Sequence, residues 1–124
     1  MKKSDSRSKA KKLLSIIIDK HPLQPLVLDL RSLNFVWDFF IIVTSSSTPH
    51  ALALAQELTR VSKSQGFSIH HTEKDDTGEW FLIDYTDVCF HIFSEEKRNF
   101  YSLDRLFKGA KKVKFKFASK KSKA

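Results

Sequence analysis

The chain has 124 residues, a mass of 14.4 kDa, 41% hydrophobic and 12% aromatic residues, and a formal net charge of +8. That length suits one domain with a sizeable core, and eleven Phe are too apolar a content for a wholly disordered chain. Short apolar runs and a mean hydropathy of −0.32 argue against an integral membrane protein, and one cysteine builds neither an internal disulfide nor a cysteine zinc site.

The opening MKKSDSRSKAKK has no apolar stretch of the kind a secretion signal needs, so a cytoplasmic location is expected. Residues 1–8 are expected as a basic, disordered arm. Leu13, Leu14, Ile16, Ile17 and Ile18 then predict a helix from about Lys9 to Lys20, which His21-Pro22 ends. Leu26 to Leu30 is a short β-type run, and residues 31–38 are a turn with one helical piece. Phe39 to Thr44 is continuously apolar and β-branched, as suits a strand buried on both faces.

Thr48 is the expected N-cap of the next helix, with Pro49 at its first position and Gly66 at its end. Phe67 to His70 alternates as a strand, and Glu73 to Gly78 is a polar turn. Glu79 to Tyr85 and Asp87 to Ser94 form a hairpin about Thr86. Phe100, Leu103, Leu106 and Phe107 space an amphipathic helix over Glu95 to Phe107. The domain is expected to span residues 9–110 and a lysine-rich tail residues 111–124, although the alternation of Val113, Phe115 and Phe117 with lysines also allows a last edge strand. The fold class is α/β, a single-domain mixed β-sheet with flanking helices.

The charge is unevenly spread. Residues 1–12 carry +5, residues 108–124 carry +8, and residues 13–107 carry −5. Basic arms are either solvated or drawn to a polyanion, so Lys111, Lys112, Lys114 and Lys116 are candidate RNA contacts, made to phosphate without sequence preference. An acidic body suits a basic protein partner.

Catalytic chemistry finds little support. No glycine flanks Ser45, Ser46 or Ser47, so no nucleophile elbow exists, and Cys89 lies inside a strand between Val88 and Phe90. His70 and His71 point to opposite faces of a strand and cannot chelate together. Three glycines form no phosphate-cradling loop. No cofactor or metal is expected. The hairpin is the unusual feature: Trp80, Leu82 and Asp84 share one face, and Cys89, His91 and Phe93 share one on the partner strand. Left uncovered, that face would be a protein-binding surface with Trp80 as anchor; covered, Trp80 is core.

Three blocks in order resemble the ribosomal silencing factor family (RsfS, also called Iojap). They are Asp38-Phe39-Phe40-Ile41-Ile42-Val43-Thr44-Ser45, then Gly78 to Phe93 with its Trp80, Asp84, Asp87 and His91, then Arg98-Asn99-Phe100-Tyr101-Ser102-Leu103-Asp104-Arg105-Leu106-Phe107. The chain departs from the family at Asp104 (usually Glu), Phe107 (usually Trp), Cys89-Phe90 (usually paired Val) and Ser45 (usually Gly or Ala). The resemblance implies a nucleotidyltransferase-like fold without the catalytic carboxylates, and a protein that is not an enzyme. It implies binding to the large ribosomal subunit through ribosomal protein L-fourteen, which blocks subunit joining and silences translation, with a role in subunit assembly for an organellar relative. On that basis Trp80, Asp84, His91, Arg98, Tyr101 and Asp104 are the expected contacts, with Arg98 and Tyr101 either bracing the last helix or touching the partner. A nucleotidyltransferase-type enzyme and an RNA binder acting through its basic tails are the alternatives. Oligomeric state stays open between monomer and weak homodimer.

Overall fold

A computed structural model describes residues 5–102, 105 and 107–117. Among them lie three α-helices and one six-stranded mixed sheet: α1 Asp5–Ile17, β1 Leu23–Asp29, β2 Phe39–Ser45, α2 Thr48–Ser64, β3 His71–Lys74, β4 Trp80–Asp84, β5 Val88–Ser94, α3 Glu95–Tyr101 and β6 Lys111–Val113. The strand order is β3-β4-β5-β2-β1-β6. The central pair, β2 and β5, is parallel, and every other pair is antiparallel.

The apolar run of β2 is buried at all seven positions, as a central strand covered on both faces requires. One face is roofed by α1 and α2. Ala10, Leu13, Leu14 and Ile17 of α1 and Ala51, Leu54, Ala55 and Leu58 of α2 pack there on Phe39, Ile41, Val43, Phe81, Ile83, Phe90 and Ile92. The opposite face carries Leu28, Phe40, Ile42, Cys89 and Phe93, flanked by Leu33, Trp37, Trp80 and Phe107.

Side chains pin the helices to the sheet. Lys9 donates to the Asp87 carboxylate at 2.7 Å and to the Tyr85 carbonyl at 3.0 Å, while the Tyr85 hydroxyl meets Ser62 Oγ at 2.8 Å. The Ser46 backbone N–H donates to His50 Nδ1 at 2.9 Å. That fixes the proton on Nε2, which donates to the Lys20 carbonyl at 2.9 Å and joins the end of the first helical segment to the start of α2.

Several local expectations shift. α1 begins at Asp5, so residues 5–8 of the expected arm are helical and Ser6 is buried. Ser47, not Thr48, caps α2: it lies in the extended region and its Oγ accepts from the His50 N–H, leaving Thr48 as the first helical residue. Gln65 closes the helix and Gly66 follows at φ 91°, the left-handed position a glycine takes at low cost. The strand expected over Phe67–His70 lies instead at His71–Lys74, whose last two residues, Glu73 and Lys74, open the expected polar turn. It is an exposed edge strand, where pairing with β4 decides the conformation and side-chain hydropathy does not. α3 stops at Tyr101, where Ser102 turns left-handed at φ 49° and its N–H returns to the Arg98 carbonyl.

The tail boundary at 110/111 also moves. Residues 111–113 pair with Asp29, Leu28 and Val27 as β6, and Phe115 and Phe117 pack against the helix-covered core. The edge strand that the alternation allowed is therefore present, and the fold continues to the last described residue. With α1 and β6 inside it, residues 5–117 hold seventeen Lys and Arg against fourteen Asp and Glu, a formal +3. The folded unit is not the acidic body expected from residues 13–107 alone.

Candidate functional site

The sheet face opposite α1 and α2 carries the site. Along β4 the burial alternates: Phe81 and Ile83 are buried beneath the helices, whereas Trp80, Leu82 and Asp84 are half-buried on the other side. The β4–β5 register sets Trp80 opposite Phe93, Leu82 opposite His91 and Asp84 opposite Cys89. The parallel β5–β2 register then places Phe93, His91 and Cys89 beside Thr44, Ile42 and Phe40. The shared face inferred for the hairpin thus continues across the sheet.

The rings form a connected layer. Trp80 stacks on Phe93 at 5.8 Å and lies 5.4 Å from Tyr101, which meets Phe100 edge-on at 5.1 Å. His91 lies 4.8 Å from Phe40, Phe40 meets Phe107 at 4.9 Å, and Phe107 meets Phe35 at 5.0 Å. Its two ends reach solvent: Phe100 is 76% exposed, Phe35 46% and Tyr101 42%.

Two indoles in this layer are anchored by polar partners. Trp80 Nε1 donates to His91 Nδ1 at 3.3 Å, and Trp37 Nε1 donates to Asp84 Oδ1 at 3.1 Å. Asp84 Oδ1 also accepts the Thr86 N–H at 2.8 Å, which holds the hairpin turn where Thr86 adopts φ 82°. Trp37 lies in the segment 31–38, whose reading as a turn with one helical piece does not single it out. An indole two residues before the apolar strand is the available signal.

With Nδ1 accepting, the His91 proton resides on Nε2, 3.5 Å from Cys89 Sγ. Burial lowers the His91 pKa to about 4 against an opposing pull from Asp84, and burial, helped by Asp84, pushes the Cys89 thiol up to about 12. Both groups are neutral near pH 7. At that pH the pair is a thiol beside a neutral imidazole, not the thiolate–imidazolium pair that nucleophilic catalysis uses, and both side chains are buried.

Arg98 reaches back under α3. Its Nη1 donates to the Gln24 carbonyl at 2.6 Å and to Thr44 Oγ1 at 2.9 Å. Gln24 is left-handed at φ 46° within the irregular start of β1, which directs its carbonyl out of the ladder towards the guanidinium. Arg98 thus braces α3 against β1 and β2, and Tyr101, one turn on, covers Trp80 and Phe93. Asp104 lies outside the described residues.

At the ends of the parallel strands, Ser45, Ser46, Ser47 and Thr48 line a cavity with Glu79, Ser94 and Glu95. Tertiary structure therefore brings two carboxylates to the serine turn that no sequence spacing joined. Ser47 and Ser94 are spent as helix caps there, and no group of three or more His, Cys, Asp or Glu able to hold a metal occurs among the described residues. No helix among them is long and apolar enough to cross a membrane.

The family model described as "Ribosomal silencing factor during starvation" matches residues 3–124. Ribosomal silencing factor RsfS of Halalkalibacterium halodurans is 32% identical over 100 residues, covering 81% of this chain and 86% of its own. That of Bacillus subtilis is 30% identical over 89 residues, covering 72% and 75%. A crystal structure of a Chromobacterium violaceum protein superposes with a TM-score of 0.78 at 25% identity, over 95% of this chain and 98% of its own.

Proposed function

The chain belongs to the ribosomal silencing factor family, and from that premise we propose that it docks on the large ribosomal subunit and blocks joining of the small one. The docking partner is ribosomal protein L-fourteen, the fourteenth protein of the large subunit. The contact is made by the aromatic sheet face, with Trp80 at its centre and Leu82, Asp84 and Tyr101 around it.

The observation that carries this reading is the half-buried row Trp80, Leu82 and Asp84 beside the exposed rings of Tyr101 and Phe100, in a small domain whose other face is roofed by helices. A large aromatic surface with a polar rim is the composition of a protein-binding hot spot. The charge suits a basic partner, because residues 73–96 hold eight acids and one lysine. The neutral, buried state of Cys89 and His91 supports an activity without chemistry: the bound protein occupies the surface the small subunit needs. Arg98 acts through bracing, and His91 by orienting the Trp80 indole.

Cosedimentation with large subunits, followed by a subunit-joining assay, tests this. The folded Trp80→Ala variant is expected to bind about 30-fold more weakly, roughly 2 kcal/mol, and to lose inhibition of joining in proportion. Unchanged affinity in a variant that keeps its thermal transition would remove Trp80 as the anchor. A chain that binds no large subunit at all would sink the docking.

A further inference from the structure

We propose that the open edge of β3, with the groove between β3 and α2, binds an extended segment of another protein by strand addition, a segment in which apolar residues alternate with Lys or Arg. The site does not rest on the ribosomal docking reading, which uses Trp80 and the aromatic side of the sheet.

β3 is an outermost strand, and its pairing with β4 uses half of its backbone. The Asp75 N–H donates to the Trp80 carbonyl at 3.1 Å, and in an antiparallel ladder such bonded pairs alternate. Glu73 and His71 therefore turn their backbone groups to Leu82 and Asp84. Thr72 and Lys74 turn theirs outward, so two N–H and two C=O groups stand at the open edge in strand geometry.

The same register fixes the faces. Thr72 and Lys74 lie opposite Ile83 and Phe81 on the helix side, and His71 and Glu73 lie opposite Asp84 and Leu82 on the aromatic side. On the helix side a cavity of about 370 Å³ opens between α2 and β3. Leu52, Ala55, Phe81 and Ile83 give it an apolar lining, and Leu52 is 44% exposed at its rim. A strand added to β3 alternates as β3 does. Every second residue would fall into this groove, and the residues between would lie beside Glu73 on the other side.

Charge selects the occupant. Residues 71–84 hold five acids, Glu73, Asp75, Asp76, Glu79 and Asp84, against the single Lys74. Glu73 meets His71 at 2.9 Å and Asp75 lies 3.8 Å from Lys97, and the edge stays negative with both counted. An apolar side chain suits the groove and a cationic one suits the neighbouring position. A second copy fits poorly, because β3 against β3 brings two acidic edges together. The chain's own alternation of Val113, Phe115 and Phe117 with lysines is packed on its own core, so a second copy cannot offer it. Nucleic acid is repelled by the same carboxylates.

The test titrates the full chain with a labelled, end-blocked heptapeptide alternating Lys and Val, with its Glu and Val counterpart, and with a block isomer that places all lysines first. Fluorescence anisotropy reads affinity, and amide hydrogen exchange reads the edge. The alternating Lys peptide is expected to bind at least about tenfold more tightly than either control and to slow exchange at the Thr72 and Lys74 amides. Thr72→Pro removes an outward N–H without touching a bond to β4, and Leu52→Asp puts a charge at the groove; each is expected to weaken binding about tenfold. Leu52→Asp, on an exposed helix position, keeps the test decisive if Thr72→Pro does not fold. Equal affinity for the block isomer, or unchanged exchange at the two amides, overturns strand addition. A chain that dimerises through this edge and excludes the peptide overturns the assignment to another protein. Trp80→Ala should leave peptide binding intact while weakening binding to ribosomal protein L-fourteen, so the two sites fail separately; loss of peptide binding in that variant would place the peptide on the aromatic side and overturn the groove.

Discussion

His91 is held with Nδ1 towards the Trp80 indole, its ring 5.7 Å from Phe93 and almost parallel to it. Burial keeps it neutral to about pH 4, whereas the unfolded chain protonates it near 6.5. Below pH 6.5 the unfolded state therefore binds a proton the folded state refuses. The associated stability is whole above about pH 6.5, declines as the pH falls, and levels off below about pH 4, a loss on the order of 3 kcal/mol. Urea titrations from pH 7 to 4 should show this decline, and His91→Gln should flatten it; an identical slope in the variant would assign the effect to another group. At the alkaline end the sign reverses, because the folded Cys89 thiol ionises only near pH 12 while the unfolded thiol does so near 9. Arg98 is a second residue whose role is measurable by stability. Arg98→Ala leaves the Gln24 carbonyl and Thr44 hydroxyl without their guanidinium donor, and a loss of about 2 kcal/mol is expected by urea denaturation. A loss of binding without a loss of stability would instead make Arg98 a contact.

At the scale of elements, β6 and the segment after it join the terminal lysines to the fold. Ending the chain at Ala110 would remove the ladder to β1 and the packing of Phe115 and Phe117, and is expected to cost about 2 kcal/mol or more, seen as a lowered melting temperature. An unchanged transition would return residues 111–117 to the status of a tail. That strand was legible as an alternation of Val113, Phe115 and Phe117 with lysines, but short alternation states only that a strand can form; whether an open edge stands beside it is a matter of topology. β3 departs from its expected place for the same reason. Phe67 to Ile69 carries the apolar alternation yet packs as a loop against the core, while the polar His71–Lys74 takes the strand because β4 offers it hydrogen bonds. β2, α2 and the β4–β5 hairpin are legible because burial on both faces, a threonine-proline start and a two-sided alternation each leave a local mark.

Over the whole molecule, the two charge signs occupy opposite edges of one sheet, with acids on β3 and β4 and lysines on β6. Such polarity orients a protein approaching a surface that mixes basic protein and RNA, through attraction that is screened within about 8 Å at physiological salt. Raising salt should therefore weaken binding to whole subunits more steeply than binding to isolated ribosomal protein L-fourteen, and equal slopes would assign all the electrostatics to the aromatic face. The family resemblance, the central strands, the two faces of the hairpin and the lack of a nucleophile elbow or phosphate loop are written in runs of neighbouring residues, and so are legible before any fold is known. Contacts across the fold alone set Asp84 against Trp37, Arg98 against Gln24 and Thr44, Cys89 beside a neutral His91, and Arg7 of the first helix against the Phe115 ring. Each of these depends on residues brought together from far along the chain, and such contacts leave no periodicity to read.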